Sequence, residues 1–259
     1  MAVHSAVARN FNEASENRIH SDEIARRFGF TGALVPGATV FGHLAWPLTQ
    51  RFGESWLQSS WVTTRFLKPA YHGETITLLD RETSENSVAV DCRNTGDVLL
   101  ATLECTLEKP QPAADPHAQI SGPQQPDERV EIVWDSVRVE EPFASYVWKP
   151  DDALNREYAA RVDDDTELFR KGLLHPHAIL SQANLVLVRR FVMPAWIHTG
   201  SDIRFRRLLR VGEAIEVRAV PLEKWERKGH QFIRLYVAYV VSGEIATEIW
   251  HTAIFRLRM

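Results

Sequence analysis

Leu34-Val35-Pro36-Gly37-Ala38 opens an apolar stretch that runs to Arg51-Phe52, and Leu174-His175-Pro176-His177-Ala178 opens another that runs to Arg190-Phe191. The same markers follow each stretch: Trp56-Leu57 and Trp196-Ile197, Arg65-Phe66 and Arg204-Phe205, Gly73-Glu74-Thr75-Ile76 and Gly212-Glu213-Ala214-Ile215. The prolines and the tryptophans lie 140 residues apart, and both Arg-Phe pairs and the Gly-Glu pair lie 139 apart. Markers that hold one register over this distance mean that a single structural unit is present twice. Between the copies, from Lys109 to Asp127, Pro110, Pro112, Pro116, Pro123 and Pro126 alternate with Gln, Ala, Asp and Gly, and no apolar period survives. The expected division is a first unit at 1–108, a Pro-rich linker at 109–128 and a second unit at 129–259.

Within the first unit, apolar residues from Pro36 to Phe52 occupy nearly every side of a helical wheel, which predicts a buried helix with Pro36 in its first turn and a kink at Pro47. Such a helix has to be wrapped. Strands are expected over Trp61 to Leu67, Thr75 to Leu79, Ser87 to Cys92 and Val98 to Leu107. The second unit predicts strands over Ile203 to Leu209, Ala214 to Val220, Gln231 to Val241 and Glu244 to Leu257. One buried helix followed by consecutive antiparallel strands is an α+β unit in which a sheet curls around the helix, the hot-dog arrangement. Two such units in tandem give a double hot-dog.

Composition bounds the partners. A formal net charge of −4 provides no basic field for phosphates, so no nucleic acid is expected. No segment approaches the roughly 20 uninterrupted apolar residues that span a bilayer. Met1 to Asn10 lack the basic start and apolar run of a signal peptide, and the chain reads as a cytoplasmic protein without a membrane partner. Cys92 and Cys105 are expected as buried free thiols, and Trp46, Trp56, Trp61, Trp196 and Trp225 as core. Arg65 and Arg204, equivalent in the repeat, read as solvated or paired strand residues.

The chemistry gathers ahead of the first helix, in Glu13-Ala14-Ser15-Glu16-Asn17-Arg18-Ile19-His20-Ser21-Asp22-Glu23-Ile24-Ala25, followed by Gly29-Phe30. A lone histidine here is explained equally well by packing against the loop, and Asn17 by an Asx-turn. Together with the Pro36-Gly37 start of the helix, this segment resembles the MaoC-like, or (R)-specific enoyl-CoA hydratase, signature. On that resemblance His20 is the catalytic histidine, Asn17 orients it, and the Gly37 N–H receives the negative charge developing on a thioester. The family's aspartate falls on Ser15, its glycine on Ala14 and its proline on Arg18. A serine hydroxyl does not ionise near neutrality, so it holds water but does not replace a carboxylate base. Glu16 is the nearest carboxylate and the conditional base, although successive residues of an extended segment point to opposite sides.

The resemblance implies hydration or dehydration of an α,β-unsaturated or 3-hydroxy acyl thioester carried by CoA or a carrier protein. Ser15, Pro36 and Thr39 would then contact substrate, without cofactor or metal. Loss of the aspartate leaves open a non-catalytic acyl-thioester or small-acid binding protein, or a divergent lyase or thioesterase. In the second copy Asn155 is retained, Tyr158 stands where a histidine is expected, and His177 aligns with Gly37. His175 and His177, two apart, do not share a helix face and make no recognisable zinc site alone. The fused pair can serve as a monomer or form a homo-oligomer.

Overall fold

The computed structural model describes residues 2–123 and 128–258; residues 124–127 of the expected linker lie outside the described residues. The first copy consists of β1 (Ala2–Val7), α1 (Asp22–Arg27), α2 (Gly37–Phe52), α3 (Ser55–Gln58), β2 (Ser60–Phe66), β3 (Thr75–Ser84), β4 (Ser87–Asn94) and β5 (Leu99–Leu107). After the connection come β6 (Val130–Glu131), β7 (Tyr146–Trp148), α4 (Asp152–Ala160), α5 (Glu167–Arg170), α6 (Pro176–Arg190), β8 (Phe191–Val192), β9 (Ile197–Phe205), β10 (Ile215–Arg227), β11 (His230–Val241) and β12 (Glu244–Arg256).

Ten strands form one sheet in the order β1-β3-β4-β5-β2-β9-β12-β11-β10-β7, while β6 and β8 make a short parallel pair. The halves join through the antiparallel pair β2–β9, in which Thr63 stands opposite Asp202. These two residues are equivalent in the 139-residue register, so an internal twofold passes between them. Other equivalent positions obey it: the bridge Leu34–Tyr71 in one copy is Leu173–Arg210 in the other. Gly73 and Gly212 each turn the chain with φ near +80°, at +81° and +86°, a conformation glycine adopts without steric penalty. The fold is an α+β double hot-dog.

α2 fulfils the all-round apolar pattern. Every residue from Ala38 to Ala45 is buried, as are Pro47, Leu48 and Thr49. Pro36 is its N-cap rather than part of its first turn. Burial of Phe41, Leu44 and Leu48 stabilises the unit by about 1.5–3 kcal/mol each. The helix lies on β3, β4, β5 and β9 and crosses α6. At the crossing Gly42 lets the helices approach closely, since a Cβ there would stand 3.0 Å from the Cβ of His177 and from Val162. α6 is tied to its own sheet by the buried Tyr239 hydroxyl, which donates to the Ile179 carbonyl at 2.8 Å.

Two expectations need correction. β9 begins at Ile197, six residues before the expected start at Ile203, because the polar run His198-Thr199-Gly200-Ser201-Asp202 is strand packed at the seam between the copies, where His198, Gly200 and Ser201 are buried. β3 and β10 continue to Ser84 and Arg227, where charged residues extend the hairpins beyond the core. The connecting segment is docked on the second copy's sheet. The Gln111 amide donates to the carbonyls of Gln58, Phe205 and Arg206, Asp115 N–H donates to Glu248, and Ala118 is fully buried against Tyr236, Ala238 and Val240. This covering explains why β11 is buried on both faces, with Leu235, Val237 and Tyr239 in the main core and the alternate residues under the connection.

Cys92 and Cys105 are buried free thiols, each pushed up to about 12, with burial the leading cause, so neither supplies a thiolate. Trp56 and Trp196 are buried, whereas Trp46, Trp61 and Trp225 are half-buried. Arg65 pairs with Asp202 at 2.6 Å and Arg204 with Glu108 at 3.0 Å. No helix among the described residues is long and apolar enough to cross a membrane.

Candidate active site

The segment ahead of α2 crosses to the second copy and is fastened there. Asn17 accepts from the Trp196 N–H at 3.1 Å and donates to the Trp196 carbonyl at 3.0 Å, while Arg18 N–H donates to the Pro194 carbonyl at 2.8 Å. This two-point amide clasp closes a cavity of about 450 Å³ whose walls come from both copies. The first copy contributes the loop around His20, the start of α2 and Phe66; the second contributes α4, α6 and the start of β9.

His20 lies in the wall, buried behind a short 3-10 turn. Its Nδ1 is 2.7 Å from the Leu34 carbonyl, which can only accept, so Nδ1 carries the proton and Nε2 the lone pair. Asn17 Nδ2 stands 3.3 Å from that Nε2, a long contact beside its shorter bond to Trp196. Burial lowers the His20 pKa from its ordinary value, opposed more weakly by the Leu34 carbonyl. The group is therefore a neutral imidazole whose Nε2 lone pair meets only the long contact from Asn17.

The first turn of α2 faces the same cavity; the Thr39 and Val40 N–H groups bind the Pro36 carbonyl, while those of Gly37 and Ala38 have no carbonyl within the helix to bind. Gly37 leaves little space for a side chain: a Cβ would lie 3.0 Å from the Phe66 ring and 3.3 Å from Nδ1 of His198. Pro36 caps the helix and also lines the cavity. Thr39 lines it too, but its hydroxyl is bonded across the crossing to Nε2 of His177 at 3.2 Å. Since His177 Nδ1 donates to the Tyr158 carbonyl at 3.0 Å, it is the Thr39 hydroxyl that donates.

Ser15 and Glu16 border the cavity in different ways. Ser15 donates to the Asn17 carbonyl at 3.2 Å and keeps its lone pairs for water. The Glu16 carboxylate is half-exposed and pairs with Arg129, which also donates to the Phe191 carbonyl. Among the described residues no carboxylate hydrogen-bonds to His20, whose ring is bonded only to Leu34 and Asn17. The structure thus brings His20, Asn17, Ser15, Pro36, Gly37 and Thr39 together, with Glu16 at the rim and engaged elsewhere.

Several cavity residues escaped the sequence reading. Trp196, His198, Ser181 and Asn184 face it from the second copy. The β2–β9 seam, the Asn17 clasp and the crossing of α2 and α6 bring them there, so no local spacing marked them. In the second copy His175 caps α6, accepting from the His177 N–H at 3.1 Å with its other nitrogen 3.2 Å from Asp164. Asn155 ties the Phe169 and Leu173 carbonyls and the His175 N–H together. These rings and amides are held by protein partners, and Tyr158 reaches into the first copy's cavity instead of forming a second one.

No protein-family model matches the chain, and no curated protein matches it in sequence. Solved structures do. A protein from Chloroflexus aurantiacus J-10-fl described as a MaoC domain dehydratase superposes with a TM-score of 0.61 at 13% identity, covering 100% of this chain and 96% of its own. A conserved hypothetical protein from Mycobacterium tuberculosis, described as having a double hotdog fold, superposes at 0.63 with 14% identity over 98% and 95%. A protein from Lactobacillus plantarum described as an oleoyl thioesterase superposes at 0.56 with 10% identity over 100% and 98%. At these identities the likeness is one of fold, and the chain is a double hot-dog over its whole length.

Proposed function

We propose that the chain is a hydratase/dehydratase acting on an α,β-unsaturated or 3-hydroxy acyl thioester carried by CoA or a carrier protein, and that His20 alone moves the proton. The observation that carries this reading is His20, a neutral imidazole lining a cavity walled by both copies, beside the start of α2, where the Gly37 and Ala38 N–H groups have no helical partner. In the hydration direction, water held by Ser15 attacks the β-carbon, the π pair moves toward the thioester oxygen, and Nε2 takes the water proton. The enolate oxygen is met by the Gly37 N–H at the positive end of the helix. The imidazolium, steadied by its Nδ1–H bond to Leu34, returns the same proton to the α-carbon, so water is added and His20 ends neutral.

No carboxylate is needed for this balance, which fits a Glu16 held by Arg129. One chain suffices, because the second copy already supplies the far wall. The test is loss of conjugated-thioester absorbance with crotonyl-CoA and longer enoyl-CoA substrates. His20→Ala is expected to slow the reaction by about 10²–10⁴-fold. Absence of turnover with every enoyl-CoA, or hydrolysis of saturated acyl-CoA instead, would contradict the reading.

A further inference from the structure

We infer that the second copy holds a binding site for a free medium-chain carboxylic acid, in a cavity separate from that of His20, with Arg189 receiving the carboxylate. The inference goes beyond the functional reading above and does not depend on it. The cavity measures about 890 Å³ and lies between the last turns of α6 and β10, opening beside β7. Among the described residues only Val188 lines both it and the His20 cavity. Folded interiors leave few voids larger than a water molecule, so a space of this size is a built feature and not a packing fault. Its floor is Phe143, Val186, Val217 and Ala219, buried apolar side chains that give water no hydrogen-bond partners.

The first copy shows what would otherwise fill this place. On its edge strand His4 stands opposite Leu78 and stacks on Trp46 of α2, ring centroids 4.1 Å apart. Tyr146 stands opposite Val217, the equivalent of Leu78, but the residue ten beyond Pro176 is Val186, where the residue ten beyond Pro36 is Trp46. A valine in place of an indole leaves open the room that the first copy fills. The edge strand opens as well. β1 pairs with β3 over Ala2–Val7, whereas β7 pairs with β10 over Tyr146–Trp148 alone. Ser145 N–H turns to the Pro123 carbonyl at 3.1 Å, and Phe143 N–H rejoins the sheet at the Ala219 carbonyl.

The rim sets the sign of the ligand. Tyr146 is fixed by the Gln182 amide, which donates to its hydroxyl at 2.8 Å, and the Arg189 guanidinium lies over its ring, 4.0 Å from the centroid. A cation in the last turn of a helix is favoured by the helix dipole, but the dipole does not place it over a tyrosine in a cavity wall. Arg189 is exposed, and among the described residues no carboxylate pairs with it. The carboxylate in the cavity wall, Glu216, is taken by Nε and Nη2 of Arg218 at 2.9 and 2.8 Å, and Arg129 on the rim is held by Glu16 and the Phe191 carbonyl. A stacked guanidinium presents two parallel N–H groups to one carboxylate, and the apolar floor takes the chain behind it. Pockets of about 300–1,000 Å³, mostly apolar with a few polar groups at one end, are the usual form of a small-molecule site.

Calorimetric titration of the whole chain with octanoate, octyl alcohol and a nucleoside bisphosphate tests the site. Octanoate is expected to bind, and octyl alcohol to bind about tenfold more weakly or worse. Arg189→Gln, at an exposed position, is expected to weaken octanoate about tenfold or more while leaving the alcohol unchanged. Val186→Trp, which puts the first copy's indole into the second, is expected to abolish binding of both. If that variant does not fold, the ratio of acid to alcohol in Arg189→Gln decides alone. Absence of octanoate binding, equal affinity for acid and alcohol, or preference for the bisphosphate overturns the inference. So does octanoate binding that survives both substitutions, or that butyryl-CoA displaces, since the acid would then sit in the His20 cavity. Binding is read here without turnover, so hydration of enoyl-CoA stands or falls by its own assay.

Discussion

At the scale of single residues, Asn17 and Gly37 do more than the motif suggests. Asn17 holds the Trp196 N–H and carbonyl as well as approaching His20, so Asn17→Ala would leave two buried backbone groups of β9's start unpaired. A loss of about 1–3 kcal/mol in urea unfolding is expected, together with slower turnover. Gly37→Ala pushes a methyl into the Phe66 ring and the His198 imidazole, and is expected to destabilise the protein by about 1–3 kcal/mol and to depress activity. His20, Asn17 and Gly37 were legible because the motif is local. The clasp was not, since Trp196 lies 179 residues from Asn17 and nothing in either neighbourhood marks the pairing. Ser15 was legible as a departure, but the engagement of Glu16 by Arg129 depended on where the second copy places residue 129.

At the scale of elements, the crossing of α2 and α6 sets the depth of the cavity. Gly42 allows the helices to approach, and Gly42→Ala is expected to force them apart, lowering stability by about 1–3 kcal/mol and raising KM more than it lowers kcat. The buried helix of the first copy was legible from its unbroken apolar surface. The start of β9 was not, because polar residues signal a turn when read alone and are buried here only by pairing with β2 and β12. β11 lacks the alternation of a half-exposed strand for a related reason: the proline-rich connection covers its outer face.

At the scale of the whole molecule, the repeat register is the most informative feature of the sequence, since one offset gives both the two copies and the twofold through Thr63 and Asp202. The assembled protein also buries histidines from both copies. His20, His43, His175, His177, His198 and His251 are all held below the ordinary histidine pKa, chiefly by burial, with His43 at about 4 and His251 at about 3. For each, the unfolded chain binds a proton more readily than the folded one. Stability is therefore complete above about 6.5 and falls as pH drops toward the folded values, with a slope of up to about 1.4 kcal/mol per pH unit for each histidine. Urea unfolding between neutrality and about pH 4 should show this steep loss; a flat profile would mean that the rings are solvated. The proton chemistry is read within the range where the fold persists. The most direct test of the claim that His20 works alone is the pH dependence of kcat/KM for enoyl-CoA hydration in wild type and in Glu16→Gln. The expected result is a single acidic limb below the ordinary histidine pKa, a plateau above it, and the same profile in the variant. A second limb that vanishes in Glu16→Gln, or a loss of 10²-fold or more there, would place a carboxylate in the reaction and contradict the account.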